Sequence, residues 1–108
     1  MSVTNRDKPK TYNMKKIINT DHLILRLKVR NIPDDYPQKI YLAPEQKYFD
    51  TVEKTHIYIK NLRYNNKIRH MMIACEETAD VVRIITIHPM REESIINRVI
   101  RGRWVKNE

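Results

Sequence analysis

The sequence has 108 residues, which is enough for one domain with a single hydrophobic core. Hydrophobic residues make up 41% of it and charged residues 31%, a balance that excludes a chain disordered by composition. The formal net charge is +8, from 21 Lys and Arg against 13 Asp and Glu. This surplus predicts a phosphate-bearing partner, RNA before DNA, because clustered cations gain free energy by releasing counterions from phosphates. A charged surface that serves solubility alone is the alternative.

Residue counts exclude several kinds of site. The single glycine, Gly102, excludes a P-loop and a dinucleotide-binding fingerprint, since both need several glycines close to phosphate. The single cysteine, Cys75, excludes an intramolecular disulfide and a cysteine-based zinc site, and we expect no cofactor. No stretch reaches the roughly 18 apolar residues of a membrane helix, and the N-terminus lacks the apolar run of a secretory signal. We therefore expect a cytoplasmic protein with no membrane partner.

The first part of the chain predicts a tail and a short strand. Residues 1–12 are polar and show no periodicity, so we expect a flexible tail before a single domain over residues 13–108. The short strand is expected at Asn13–Ile18.

Two helices are expected next. Thr20 or Asp21 can cap the first, which runs from His22 to about Arg30, by accepting an otherwise unpaired N–H of the first turn. One face of this helix carries a basic residue at every fourth position: His22, Arg26 and Arg30. The second helix begins at Ile32-Pro33 and ends by about Leu42, before Pro44.

In the rest of the chain the sequence pattern changes to that of strands and then returns to that of a helix. Residues rich in Ile, Val, Tyr and Thr predict four strands: Lys47–Thr51, Thr55–Tyr64, Lys67–Glu76 and Val81–His88. After Pro89 a helical period runs from Arg91 to about Arg103. We therefore predict an α+β fold. An antiparallel meander of about four strands carries two N-terminal helices and one C-terminal helix, all packed on one face.

The strand pairing predicts a polar cluster. Asn tolerates positive φ, so Asn65-Asn66 suits a type I′ turn, which places Lys60 and Arg69 on the same sheet face. A two-residue turn at Thr78-Ala79 adds Thr86 and His88 to that face. A slip of one residue in this second turn moves the Val82–His88 set to the opposite face.

The last helix carries two stripes. Its apolar stripe is expected to be buried: Ile95, Ile96, Val99 and Ile100. A separate stripe holds three arginines and a serine: Arg91, Ser94, Arg98 and Arg101. Three arginines on one face cannot all find acidic partners within the helix, which favours a phosphate or a protein partner over a merely solvated face.

Histidines supply the candidate acid–base chemistry. His56, His70 and His88 have no Asp, Glu or Cys nearby at the spacing of a metal site, so no metal is expected. His88 stands at a strand-to-helix junction beside Pro89, where it can act as an acid or base or simply form a capping hydrogen bond.

The run VVRIITIHPMREESIINRVIRGRW from Val81 resembles the C-terminal signature of small bacterial and phage proteins of the RelE/ParE superfamily. In that pattern a strand ending T-x-H/Y-P precedes a helix ending R-x-x-x-G-R-W. The segment His22–Asp50 is also similar to the family's opening, and the likeness covers about residues 20–105. RelE-like members are ribonucleases, often toxins that act on mRNA beside an antitoxin. ParE-like members instead poison a topoisomerase through protein contact.

The resemblance carries over to particular residues. His88 matches the strand-end motif, Arg98 and Arg101 the helix, and His22 with Arg26 the first-helix pattern. His56 is a weaker match at the head of a strand. No tyrosine follows Trp104, where some RelE-type nucleases use one.

Two hypotheses follow. The first is a metal-independent endoribonuclease, the toxin of a toxin–antitoxin pair with an acidic antitoxin as its protein partner, which cleaves RNA by attack of the 2′-hydroxyl. Its candidate catalytic residues are His88, His56 and Lys60, and its candidate phosphate-binding residues are Arg69, Arg98, Arg101, Arg91 and Arg26. The second is a non-catalytic basic module that binds nucleic acid or, like ParE, a protein.

Overall fold

The computed structural model describes residues 15–107. In that range the chain forms β1 (Lys16–Asn19), α1 (Asp21–Arg30), α2 (Tyr36–Leu42), β2 (Gln46–Asp50), β3 (Thr55–Tyr64), β4 (Lys67–Glu77), β5 (Val81–Met90), α3 (Glu92–Ile100) and β6 (Trp104–Lys106). The predicted α+β class is confirmed. The predicted tail over residues 1–12 and the first two residues of the predicted first strand lie outside the described residues.

The strands form one mixed six-stranded sheet in the order β1-β5-β4-β3-β2-β6. Strands β2 to β5 are antiparallel to their neighbours in chain order, β1 pairs parallel with β5, and β6 pairs antiparallel with β2. The prediction of about four antiparallel strands is therefore wrong at both edges. The last helix ends at Ile100 rather than near Arg103, because Gly102 adopts a left-handed φ of 78° and redirects the chain into β6.

The β3–β4 hairpin forms in the predicted register. Asn65 and Asn66 both have positive φ, 52° and 67°, and Tyr64 pairs with Lys67 across the turn. Leu62 opposite Arg69 and Lys60 opposite Met71 follow from that turn. The prediction that Lys60 and Arg69 share a face is confirmed.

The β4–β5 pairing differs from the prediction. The connection is longer, so that Glu77 rather than Cys75 pairs with Val82. The register then shifts by one residue, because Cys75 pairs with Ile84 but Ala74 with Thr86. Beyond this bulge every β5 side chain changes face, so His88 pairs with Met72. The predicted position of His88 beside Arg69 is wrong.

The helices cover both faces of the sheet, not one. The first face, covered by α1 and α2, holds the larger core: Leu23, Leu27, Ile32, Ile40, Tyr58, Met71, Ile73, Cys75, Val82, Ile84 and Ile87. The second face, which carries α3, holds the smaller one: Tyr48, Ile57, Ile59, Met72, Ala74, Ile95 and Trp104. No helix among the described residues is long and apolar enough to cross a membrane.

The apolar stripe of α3 is mostly exposed. Ile95 is 4% exposed, whereas Ile96 and Val99 are more than 40% exposed and Ile100 is 75% exposed. The prediction of a fully buried stripe is wrong, because Trp104 of β6, at 2% exposed, fills the second core beside Ile95.

Candidate functional site

Half of β5 is open along one edge and is lined there by α1. Strand β1 pairs only with Val81 to Ile84, and within residues 15–107 no strand continues past that point. The chain leaves β1 through Thr20, whose N–H and hydroxyl both donate to the Ile84 carbonyl, at 3.2 and 2.9 Å. Helix α1 starts at this anchor, which directs it along the open half of β5.

The basic face of α1 is turned toward β5. The Thr20 hydroxyl also accepts the Leu23 N–H at 3.2 Å and so caps the helix. Leu23 and Leu27 are buried in the first core. His22 and Arg26 directly precede these two leucines in the chain, so the basic face lies beside the buried apolar stripe. Arg30 Nη1 donates to the Ile87 carbonyl at 3.3 Å, and Arg26 Nε donates to His22 Nε2 at 3.2 Å.

His88 lies on the second face and is partly buried, and one of its ring nitrogens forms a hydrogen bond. Its Nδ1 is 3.1 Å from the Pro89 carbonyl oxygen. A carbonyl oxygen can only accept, so Nδ1 carries the proton of the neutral ring and Nε2 keeps its lone pair. Nε2 forms no hydrogen bond within residues 15–107. The ring is therefore arranged to accept a proton at Nε2.

Three arginines act on this imidazole. Burial lowers the pKa of His88, the hydrogen bond to Pro89 opposes that effect, and the charges of Arg30, Arg98 and Arg26 lower the pKa further. Arg26 and Arg30 come from α1 and Arg98 from α3, so both helix layers contribute. We call His88, Arg26, Arg30 and Arg98 the His88 cluster. Its imidazole is neutral near pH 7.

The arginines of the His88 cluster have no carboxylate in direct ion-pair contact among residues 15–107: no ion pair with Asp or Glu is formed there by Arg26, Arg30 or Arg98. The guanidinium carbon of Arg98 instead lies 5.2 Å from the centre of the Trp104 ring, a cation–π contact that holds the side chain without neutralising it. Guanidinium groups without a direct ion-pair partner near an imidazole can hydrogen-bond a phosphate.

A cleft of about 360 Å³ opens beside the cluster on the second face. His88 and Arg98 both line it, together with Arg103 and with three carboxylates, Asp50, Glu53 and Glu76. Asp50 pairs with Arg103 at 3.0 Å.

Lys60 and Arg69 do not join this site. Both lie on the first face, whereas His88 lies on the second. Lys60 Nζ donates to the Ala43 carbonyl at 3.0 Å, and Arg69 Nε donates to the Tyr64 carbonyl at 2.8 Å. The two residues therefore support the α2–β2 connection and the hairpin.

His56 is also separated from His88. It lies on the first face opposite Cys75, and its Nδ1 is 2.9 Å from Asn107 Nδ2. It lines a cleft with Glu77, a carboxylate that accepts hydrogen bonds from Tyr58, Tyr41 and Lys15. His56 and His88 cannot serve one reacting phosphate.

The remaining predicted arginines lie elsewhere. Arg101 is exposed, and Arg91 lines an open cleft of about 710 Å³ with Arg69. Glu92 and Glu93 line the same cleft, and Glu92 is 3.3 Å from His70. This cleft is larger than the one beside His88, and His88 does not line it.

One functional residue was missed by the sequence analysis. Arg30 was seen as part of the His22, Arg26 and Arg30 repeat but was not assigned to the site. The repeat was the available signal, because a residue every fourth position must share the helix face that carries Arg26.

Comparison of the chain with protein-family models, with curated proteins and with solved structures finds no match in any of the three. Within residues 15–107 no three His, Cys, Asp or Glu side chains are grouped so that they could hold a metal ion.

Proposed function

We propose that this protein is a metal-independent endoribonuclease, the toxin of a toxin–antitoxin pair, that cleaves RNA by attack of the 2′-hydroxyl. One observation carries the proposal: within residues 15–107 a partly buried histidine has a free Nε2, and its pKa is lowered by burial and by the charges of three partly buried arginines without an ion-pair partner. The net charge of +8 adds long-range attraction for RNA, and for an acidic antitoxin.

The chemistry follows from these groups. His88 Nε2 takes the proton of the 2′-hydroxyl, the 2′-oxygen bonds to phosphorus, and the bond from phosphorus to the 5′-oxygen breaks. The leaving 5′-oxygen takes a proton from solvent, and a 2′,3′-cyclic phosphate remains. A positioned base accelerates such a step by roughly 10²–10⁴-fold. Arg26, Arg30 and Arg98 stabilise the negative charge that develops on the phosphate.

The site differs from the one expected from sequence. His88 keeps its role as base, and Arg26 and Arg98 keep theirs as phosphate ligands, with Arg30 added. His56 and Lys60 have no part in the proposed reaction. Arg69, Arg91 and Arg101 were also predicted to bind phosphate, and the proposed site assigns them no phosphate contact.

The test is cleavage of end-labelled single-stranded RNA by purified protein in excess EDTA. We expect products that end in a 2′,3′-cyclic phosphate, and no cleavage where a 2′-deoxynucleotide replaces the attacking ribose. Cleavage that needs added metal, cleavage at the 2′-deoxynucleotide, or no cleavage of varied sequences would contradict the proposal.

A non-catalytic binding module is the second candidate, and the surface of α3 favours it. Ile96, Val99 and Ile100 expose apolar side chains next to one another on this helix, as protein-binding surfaces do. Tight RNA binding without cleavage, or protein binding through α3 alone, would identify this second function.

A further inference from the structure

The cleft beside the His88 cluster has His88 at one end and Glu76 at the other. His88 and Met72 pair at the first end, Ala74 and Thr86 pair in the middle, and Glu76 follows on the same face of β4. The rise along the strand from Met72 to Glu76 is about 13 Å. Glu76 lies 3.7 Å from Arg83, so within residues 15–107 this end offers a carboxylate acceptor and no unpaired cation for a second phosphate, and it suits a different part of a nucleotide.

Part of the cleft lining is apolar. These side chains come from β3, β4, β5 and β6: Ile57, Met72, Ala74, Met90 and Trp104. The volume of about 360 Å³ lies within the range of about 300–1,000 Å³ typical of small-molecule sites. A flat aromatic heterocycle gains free energy by leaving water for such a lining.

Polar groups in the cleft have hydrogen-bonding capacity to spare. Thr55 is only 8% exposed and Thr86 is partly buried, yet neither hydroxyl forms a hydrogen bond within residues 15–107. Both hydroxyls are accessible from the cleft, so they can donate to or accept from a ligand there. Hydroxyls and the Glu76 carboxylate can accept the N–H groups at a nucleobase edge.

We propose that this cleft binds one unstacked nucleobase of single-stranded RNA, whose phosphate lies on the His88 cluster. The inference rests on the proposed function, because it assumes that the phosphate at His88 belongs to RNA. A paired base cannot enter the cleft without leaving its stack, so duplex RNA is a poor ligand. The cleft thus selects the substrate class and sets which phosphate meets His88.

The test uses wild-type protein and uncleavable probes. These are fully 2′-O-methylated pentanucleotides of equal length and charge, in which each position in turn is abasic. We expect loss of one particular base to weaken binding about tenfold, the effect of about 1–3 kcal/mol per bound base. The number of phosphates is unchanged, so the salt dependence should be unchanged. Trp104 is the one tryptophan in the sequence, and its fluorescence should respond to the complete probe but not to that abasic one.

Variants separate the cleft from the cluster. Thr86→Phe fills the cleft without changing charge, and we expect it to weaken the complete probe about tenfold and the abasic probe hardly at all. Ile68→Phe, at an exposed position near the hairpin, is the matched control and should change neither. Arg98→Ala should weaken both probes equally. Melting temperatures verify that each variant is folded.

Equal binding of complete and abasic probes by the wild type would overturn the inference, even if the protein cleaves RNA. A base preference that persists in a protein without cleavage activity would support the cleft and contradict only the nuclease function.

Discussion

Asp50 is the most heavily hydrogen-bonded side chain of the second face. It is 3% exposed and accepts the backbone N–H groups of Val52 and Glu53, the Arg103 guanidinium and the Trp104 Nε1–H. These contacts attach β6, and with it the Trp104 ring that holds Arg98 and forms a wall of the cleft. A single carboxylate therefore supports the candidate site without touching a phosphate.

The stability of the protein should depend on ionised Asp50. Burial by itself raises the pKa of Asp50, but hydrogen bonds from Arg103, Glu53, Val52 and Trp104 lower it from 3.8 to about 2. Its folded pKa lies below the unfolded one, so its contribution is complete above about pH 4 and is lost as the pH falls through about 2. Urea unfolding between about pH 5 and pH 2 measures this loss.

Asp50→Asn should reduce the unfolding free energy at about pH 5 by about 3 kcal/mol, because Arg103 loses its partner, and should flatten the acid dependence. The exposed Asp35, which pairs only with Lys39, is the matched control, and Asp35→Asn should cost less than about 0.5 kcal/mol. Equal effects of the two changes would contradict this role for Asp50.

His88 should titrate below the ordinary histidine pKa of 6.5, because burial and the charges of Arg30, Arg98 and Arg26 all oppose a second proton. An NMR titration of the imidazole measures its pKa directly. Arg98→Ala and Arg30→Ala should each raise it, whereas Arg101→Ala, at an exposed position directly after α3, should leave it unchanged. A midpoint at or above 6.5 in the wild type would contradict the arrangement of the cluster.

At the scale of elements, α3 is attached to the sheet by a narrow contact. Ile95→Ala should destabilise the protein by about 2–4 kcal/mol, because it leaves a cavity in the second core. Ile100→Ala removes a side chain that is 75% exposed and should cost less than about 0.5 kcal/mol. Denaturant unfolding of the two variants provides the comparison, and similar losses would mean that α3 buries its whole apolar stripe after all.

The elements that sequence predicted well have local causes. Two consecutive asparagines accept positive φ at the tip of β3–β4, and once that turn is placed, alternation determines which side chains share a face. Helix α1 was recognised from Thr20 and from its apolar and basic stripes. Local patterns in the sequence also identified Arg26, Arg98 and His88 as candidate site residues.

The grouping of those residues could not be predicted, because it depends on non-local pairing. The bulge opposite Ala74 and Cys75 adds one residue to β5 without any change in the local pattern, yet it moves His88 to the other face. Strand β6 has three residues, too few for a period, and its pairing partner β2 lies more than 50 positions earlier in the chain. The sequence analysis assumed a β4–β5 register without this shift and therefore predicted a cluster of Lys60, Arg69 and His88 that does not form.

At the scale of the whole molecule, the arginines of the His88 cluster come from helices on opposite faces of the sheet. Arg30 bonds the Ile87 carbonyl from α1 on the first face, and Arg98 lines the cleft with His88 on the second. If each of the three arginines neutralises one phosphate, the affinity for single-stranded RNA should fall with salt at a logarithmic slope of about −2, or −0.7 per contact. Arg30→Ala with Arg98→Ala should reduce the slope to about −0.7, measured by fluorescence anisotropy from low to high salt.

Arg101→Ala is the control for charge alone, since it removes one exposed arginine directly after α3 without altering the cluster. We expect it to leave the slope unchanged. A slope that falls equally with Arg101→Ala, or a flat response in the wild type, would mean that RNA does not bind at the His88 cluster.

The most direct measurement compares two histidines that lie on opposite faces of the sheet. Single-turnover cleavage of RNA in EDTA is followed for the wild type, His88→Ala and His56→Ala, with melting temperature and RNA affinity measured on the same samples. We expect His88→Ala to slow cleavage by roughly 10²-fold or more at unchanged affinity and stability, and His56→Ala to cleave like the wild type. Loss of cleavage in His56→Ala with full activity in His88→Ala would contradict the assignment of the site to the His88 cluster.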